Sequence, residues 1–241
     1  MPKIFLLDTE LEPGFITIKD EKAHYLSTVL RCGRGDLLLI KDSRGCSYLS
    51  RITDVGRREV AIELLEKQDF DPEPLLHIKL LQGLLKGEKM DLVIQKSTEL
   101  GVKEIIPVVT ERSQIRETRK VSRWKKIAEE ASRQSGRNTI PSISEPIGIQ
   151  KLFIASVVPE GGIIFWEQKG ETIRETIRRF AGRAEIALFT GPEGGFSERE
   201  IETASKHAFV TASLGKRILR AETAAIAAVS IIQYEMGDIG V

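Results

Sequence analysis

Two glycine-bearing segments carry the residue types best suited to chemistry. In the first, Ile186-Ala187-Leu188-Phe189-Thr190 runs into Gly191-Pro192-Glu193-Gly194-Gly195-Phe196, and Ser197-Glu198-Arg199-Glu200 follows. The apolar run reads as a strand, and the S-x-x-E spacing reads as a capping box that opens a helix. Three glycines between them let the backbone approach a ligand closely. They would lie at the carboxyl end of a strand, where open α/β sheets bind their ligands. A plain strand-to-helix turn has the same local pattern. The loop is neither G-x-G-x-x-G nor a Walker loop, so neither a dinucleotide nor a nucleoside triphosphate is implied. The second segment, Leu214-Gly215-Lys216-Arg217-Ile218-Leu219-Arg220-Ala221-Glu222-Thr223-Ala224, also follows a strand and opens a helix, so two loops of one kind could face one pocket. Ala221, Ala224, Ala225, Ala227 and Ala228 make that helix thin, which suits close backbone packing and equally suits an Ala-rich core helix.

A third feature is a cationic stripe through Arg119, Arg123, Lys126, Arg133 and Arg137, interrupted by Glu130. Guanidinium groups suit forked contacts with phosphate, and phosphate contacts supply most nucleic-acid affinity; a solvated helix face would look similar. His24, His77 and His207 lack metal-ligand spacing, and Cys32 has no evident histidine partner. Neither a metal site nor a Ser-His-Asp arrangement is indicated. Trp124 and Trp166 read as core residues rather than stacking platforms.

The elements that position these residues divide the chain in two. Its 241 residues carry a net charge of only +1, which argues against a general polyanion sponge. The charge is uneven, however: basic residues dominate between Arg31 and Arg58 and again between Arg112 and Arg137, with an acidic stretch from Glu59 to Glu73 between them. This permits one oriented polyanion site, using Arg31, Arg34 and Arg51 with the stripe. A composition 41% hydrophobic and 29% charged excludes a disordered chain. No stretch approaches a membrane span, the amino-terminal apolar run is too short for a signal segment, and two cysteines form no disulfide framework. The expectation is a soluble, cytosolic, reduced protein.

Short runs over 4–7, 15–18, 37–41, 48–55 and 59–65 read as strands, with one helix over 21–30 capped by Asp20. Five strands and a helix suggest a small barrel. The polar, Pro-punctuated stretch Gln68 to Pro74 reads as a linker, dividing residues 1–72 from 73–241. Beyond it strands and helices alternate: strands over 78–82, 104–109, 162–166, 185–190 and 209–214, helices over 88–100, 121–132, 172–180 and 221–236. This is the pattern of an α/β fold with a mainly parallel sheet. The last helix offers more apolar surface than its own sheet needs, so a two-fold dimer is expected.

With these segments in view, the chain resembles the RsmE family of ribosomal RNA methyltransferases. The resemblance rests on Gly191 to Phe196 with Leu214 to Ala224, and is extended by Lys96 to Val102, Gln134 to Arg137, and His24 to Arg31. Residues 149–182 match little, and Lys3 stands where many relatives carry Arg. The resemblance implies a PUA-like barrel followed by a SPOUT domain with a carboxyl-terminal trefoil knot. It implies a homodimer that uses S-adenosyl-L-methionine to methylate N3 of uridine 1498 (standard numbering) in 16S ribosomal RNA of the small subunit. The cofactor would be held by Thr190, Gly191, Glu193, Gly194 and Gly195 of one loop and by Leu214, Gly215, Ile218, Leu219 and Thr223 of the other. Arg31, Arg34, Arg51, Arg119, Arg123, Lys126 and Arg137 would face RNA. Arg220 and Glu222 are the candidate catalytic pair, Arg220 stabilising the uracil anion and Glu222 fixing it or relaying the N3 proton; a purely structural Arg220–Glu222 pair is the alternative. A non-catalytic RNA-binding protein, or a methyltransferase acting on a ribose 2′-OH, would share much of this pattern.

Overall fold

The computed structural model describes residues 3–7, 9–44, 46–68, 73–154, 158–159, 161–168 and 170–240. The core of the linker read from the sequence, residues 69–72, lies outside them. The chain forms two units, one of residues 1–73 with 133–139, the other of residues 74–132 with 140–241.

In the first unit, β1 (Lys3–Leu6), β2 (Gly14–Lys19), β3 (Leu37–Lys41), β4 (Ser47–Val55) and β5 (Glu59–Gln68) form a sheet in the order β1-β3-β4-β5-β2. Among the described residues of this sheet, only the β1–β3 pair is parallel. Alternation along β5 turns Val60, Ile62 and Leu64 inward, beside Ile18, Leu38, Ile40 and Ile52. The expected helix over 21–30 is instead a short α1 (Asp20–His24) followed by a π-helical turn, Tyr25–Val29, closed by Leu30 N–H donating to the Tyr25 carbonyl. Ser27 and Thr28 turn their hydroxyls back onto the preceding turn, toward the Ala23 carbonyl and His24 Nδ1, which competes with the regular ladder. Asp20 does not cap it: its φ of 55° is left-handed, and no side-chain cap bond forms at this helix start. The segment 133–139 completes the unit. Glu73 accepts from the buried Arg137 guanidinium at 2.9 Å and from the backbone N–H groups of Asn138 and Thr139, while Lys41 donates to the Gly136 carbonyl.

The second unit holds a parallel sheet. Its elements in chain order are β6 (His77–Gly83), α2 (Lys89–Glu99), β7 (Glu104–Val109), α3 (Val121–Ser135, its last turn belonging to the first unit), β8 (Ser142–Ile143), β9 (Ile147–Gly148), α4 (Ile149–Ile154), β10 (Gly162–Phe165), β11 (Glu171–Thr172), α5 (Ile173–Arg178), β12 (Glu185–Thr190), α6 (Glu198–Lys206), β13 (Phe209–Ser213) and α7 (Ala221–Met236). The sheet order is β11-β13-β10-β12-β6-β7-β8, with β9 also pairing β7. Strands covered on both faces read as unbroken apolar runs, which is why β10 and β12 are so legible. Alternate residues feed two cores. Ile78, Leu80, Ile163, Ile186 and Leu188 pack with α2, α3, α5 and α7. Leu81, Ile164, Ala187 and Phe189 pack with α4 and α6. Trp124, on the buried face of α3, donates its indole N–H to Asp91 at 3.0 Å. At the end of α2, Gly101 adopts φ 86°, a left-handed conformation that closes the helix.

Candidate functional site

A cavity of about 480 Å³ opens at the carboxyl ends of β10, β12 and β13, within the usual size of a small-molecule site. The two glycine-bearing loops form its walls. Thr190, Gly191, Glu193, Gly194 and Gly195 line it from one side; Leu214, Gly215, Ile218, Leu219, Arg220 and Glu222 line it from the other. Thr223 is exposed and is not part of the lining. The structure thus brings together in one hollow nearly every residue that the sequence placed on these loops.

The first loop is held from beneath. Thr190 Oγ1 donates to Gln82 Oε1 at 2.7 Å, and the Gln82 amide donates to the Gly191 carbonyl at 3.2 Å. Gly83, the last residue of β6, lies so close that a Cβ there would sit 2.4 Å from Pro192 N. Ser197 forms the capping box with Glu200 that its spacing suggested. The buried Glu200 carboxylate also accepts from the Glu111 N–H at 2.7 Å, and Arg112 donates to the Gly194 carbonyl at 3.2 Å. The tethers from Gln82, Glu111 and Arg112 come from the ends of two neighbouring strands, β6 and β7, and have no local sequence signature.

Glu193 accepts from the Lys89 ammonium at 2.9 Å and from the Lys86 N–H at 3.1 Å. Burial alone would raise its carboxyl above the usual range; the Lys89 hydrogen bond and the backbone N–H groups of Glu193 and Lys86 outweigh this and hold it below. A carboxylate with a depressed folded pKa stabilises the fold above its unfolded value, near 4.5 here, and that contribution disappears as pH falls through the lower folded value. Replacing Lys89 by Met should therefore narrow the acid side of the stability profile. Urea melts at pH 7 and pH 3.5 should show the wild type losing more stability between them than Lys89→Met; equal losses refute the coupling.

Three buried polar atoms of the lining have no partner among the described residues: Trp166 Nε1, Glu193 Oε2 and Glu222 Oε2. Each orphaned group is costly unless something satisfies it. The donor and the two acceptors favour a ligand with polar groups of both kinds. Trp166 is at once core, as its sequence context suggested, and part of this wall. Glu167, beside it, reaches toward Gly195; both followed from no motif, since they sit in the poorly matching segment after β10. Arg220, exposed at the amino-terminal cap of α7, makes no ion pair with Glu222 among the described residues, so the purely structural pairing is not realised. Among the described residues no cluster of His, Cys, Asp and Glu could hold a metal ion, and no helix is long and apolar enough to cross a membrane.

The cationic residues divide. Arg31, Arg34 and Arg51 are exposed in the first unit, Arg51 lying 3.9 Å from Glu63. In the second, Arg119 and Lys126 are exposed, whereas Arg123 is bound to Asp91 at 2.9 Å. Arg119 precedes α3, so the stripe is not a single helix face. Arg137 must be removed from it: the side chain is buried and forked onto Glu73, which leaves nothing to offer a phosphate.

Comparison with known proteins agrees with this geometry. Residues 71–233 match the RNA methyltransferase domain family. Ribosomal RNA small subunit methyltransferase E of Buchnera aphidicola (strain APS) is 34% identical across 99% of this chain and 95% of its own. The Bacillus subtilis protein of that name is 30% identical, over 94% of this chain and 92% of its own. The crystal structure of a Neisseria gonorrhoeae ribosomal RNA small subunit methyltransferase E bound to S-adenosyl methionine superposes with a TM-score of 0.87, at 33% identity, covering 99% of this chain and all of that one. A parallel sheet with paired glycine-bearing loops around one cavity, together with identity along the whole chain, places the protein in the RNA methyltransferase family, among the ribosomal RNA small subunit methyltransferase E proteins.

Proposed function

We propose that this chain transfers a methyl group from S-adenosyl-L-methionine to N3 of a uridine in 16S ribosomal RNA of the small subunit. The observation that carries the reading is the cavity whose buried Trp166 N–H and one oxygen each of Glu222 and Glu193 lack partners among the described residues. Carboxylates of Glu167, Glu193 and Glu222 suit a ligand bearing a sulfonium and an ammonium, and the backbone of the two loops suits a nucleoside held by main-chain groups. A relative 33% identical over nearly the whole chain was crystallised with S-adenosyl methionine bound.

S-Adenosyl-L-methionine, when bound, supplies an electrophilic methyl group on sulfur. What remains for the protein is to bind, to orient and to handle a proton. Backbone groups of Thr190 to Gly195 and of Leu214 to Leu219 hold the cofactor. Uracil N3 is protonated at neutral pH and must lose that proton before or during attack. Glu222, with Oε2 unpartnered among the described residues in the first turn of α7, takes or relays it, and the exposed cation of Arg220 neutralises the uracil anion. Around this site the reading places a SPOUT domain with a trefoil knot, a PUA-like barrel in the first unit, and a cytoplasmic homodimer. Arg31, Arg34 and Arg51 of the first unit, and Arg119, Arg123 and Lys126 of the second, face RNA. Calorimetry with S-adenosyl-L-methionine and mass-spectrometric mapping of nucleosides in treated small-subunit RNA test the function. Micromolar binding and N3-methyluridine are expected; modification at a ribose 2′-OH, or no cofactor binding, would overturn it.

For the dimer, the free surface of α7 is narrower than its sequence suggests, because Ala225, Ala228, Val229 and Ile232 are consumed by the chain's own core. Tyr234, 65% exposed, and the half-buried Ile226 offer apolar surface to a partner, whereas Met236 packs partly against the chain's own core. Light scattering at micromolar concentration should give twice the 26.9 kDa chain mass, and Tyr234→Asp should halve it; a wild type already at the chain mass removes the dimer.

A further inference from the structure

The turn that follows β7 is built more firmly than the cofactor cavity requires. Thr110 and Ser113 are both buried, with their hydroxyls 2.9 Å apart. Ser113 Oγ accepts from the Thr110 N–H at 3.0 Å, and the Ser113 N–H donates to the Thr110 carbonyl at 3.2 Å. Buried Glu200 fixes the next residue through the Glu111 N–H. Two hydroxyls and a carboxylate are thus committed to one turn, yet none of residues 110–116 lines the cavity.

What the turn presents is positive charge. Arg112 and Arg116 are exposed, and neither has a carboxylate partner among the described residues. Each guanidinium is instead braced on a backbone carbonyl, Arg112 on Gly194 at 3.2 Å and Arg116 on Glu111 at 3.1 Å. A carbonyl brace uses one of five donors, leaves the charge uncancelled and reduces the rotamer freedom a ligand would otherwise have to freeze. Arg123 of the stripe differs, since Asp91 already neutralises it.

We propose that Arg112 and Arg116 form a seat for a backbone phosphate of the RNA substrate, and that Arg112 links this seat to the cofactor loop. The link is short. The Arg112 guanidinium touches the Gly194 carbonyl, and a Cβ added at Gly194 would lie 2.9 Å from Arg112 Cβ, so the two backbones cannot move independently. A phosphate that fixes Arg112 also fixes Gly194, and by linkage the filled cavity holds Arg112 ready for the phosphate. Arg112 is a positioning residue in this scheme. The proposal rests on the methyltransferase reading above for the identity of both ligands.

The test uses the full chain, S-adenosyl-L-methionine and a transcript of small-subunit ribosomal RNA. In a salt series, the Arg112→Ala/Arg116→Ala double variant should lower the slope of log affinity against log salt by roughly 0.7, the value for one lost single-strand phosphate contact. Arg199→Ala, an exposed arginine on α6, should leave the slope unchanged. Calorimetry should show saturating RNA tightening cofactor binding by about fivefold or more in wild type and in Arg116→Ala, but not in Arg112→Ala. A double variant with wild-type slope, a slope equally lowered by Arg199→Ala, or full coupling in Arg112→Ala overturns the seat. A wild type that binds RNA but no S-adenosyl-L-methionine instead overturns the reading beneath it.

Discussion

Replacing Gly195 by Val is expected to weaken S-adenosyl-L-methionine binding by at least about 100-fold while the circular-dichroism spectrum stays near wild type. Gly195 adopts φ 67°, a left-handed conformation that costs an L-residue about 1–2 kcal/mol and a β-branched one more. Its added Cβ would also meet Glu167 Oε1 at 2.8 Å. That contact alone is soft, because the end of a glutamate can swing aside. The backbone is not soft, since Gly195 N–H donates to the Pro192 carbonyl at 2.9 Å and closes the turn. Relief of the φ strain must therefore open the loop wall. Gly194→Val reaches the same end by another route: its Cβ would lie 2.9 Å from Arg112 Cβ and 3.0 Å from the Arg112 carbonyl oxygen, with backbone unable to yield. Gly215→Ala is the useful contrast, as φ is 113° but nothing lies within 4 Å, so only conformational strain is added. Unchanged cofactor affinity in both valine variants would make the 191–196 loop an ordinary turn.

The second large effect is expected at Glu222. Glu222→Gln preserves shape and removes a proton acceptor from a side chain only 9% exposed, with one oxygen unpartnered. Loss of general-base assistance should lower kcat by about 10²–10⁴-fold, with cofactor affinity within about threefold of wild type. Raising the pH should recover part of the lost rate, because hydroxide can then remove the uracil N3 proton unaided. A variant with wild-type kcat would transfer the proton step to another group. A variant whose cofactor affinity collapses with its rate would make Glu222 a binding residue.

Much of this arrangement was readable because it is local. Strands buried on both faces announce themselves as apolar runs, and the Ser197–Glu200 spacing marks a helix start wherever it occurs. What stayed hidden depends on distant partners. Gln82, Glu200 and Arg112 become loop supports only when β6, α6 and the turn after β7 arrive beside one another, across separations of 82 to 109 residues. Arg137 looks like a surface cation in the sequence because its partner, Glu73, is 64 residues away. The two-residue strands β8, β9 and β11 carry no periodicity to detect, and α4 follows β9 with no intervening loop. The π-helical turn reverses the expectation for residues 25–29 through side-chain hydroxyls that the hydrophobic pattern does not register.

The capture of residues 133–139 by the first unit has a consequence for synthesis. Glu73 leaves the ribosome 66 residues before Thr139, the last of the backbone donors it will accept from. At about 5–20 residues per second this is a wait of roughly 3–13 s, during which the nascent amino-terminal sheet carries a carboxylate without the guanidinium that balances it. The first unit to emerge thus cannot finish until a long stretch of the second has been made. A stalled chain ending at residue 100 should expose β5 to protease, and one long enough to release Thr139 should protect it, so that amino-terminal maturation waits on the passage of α3.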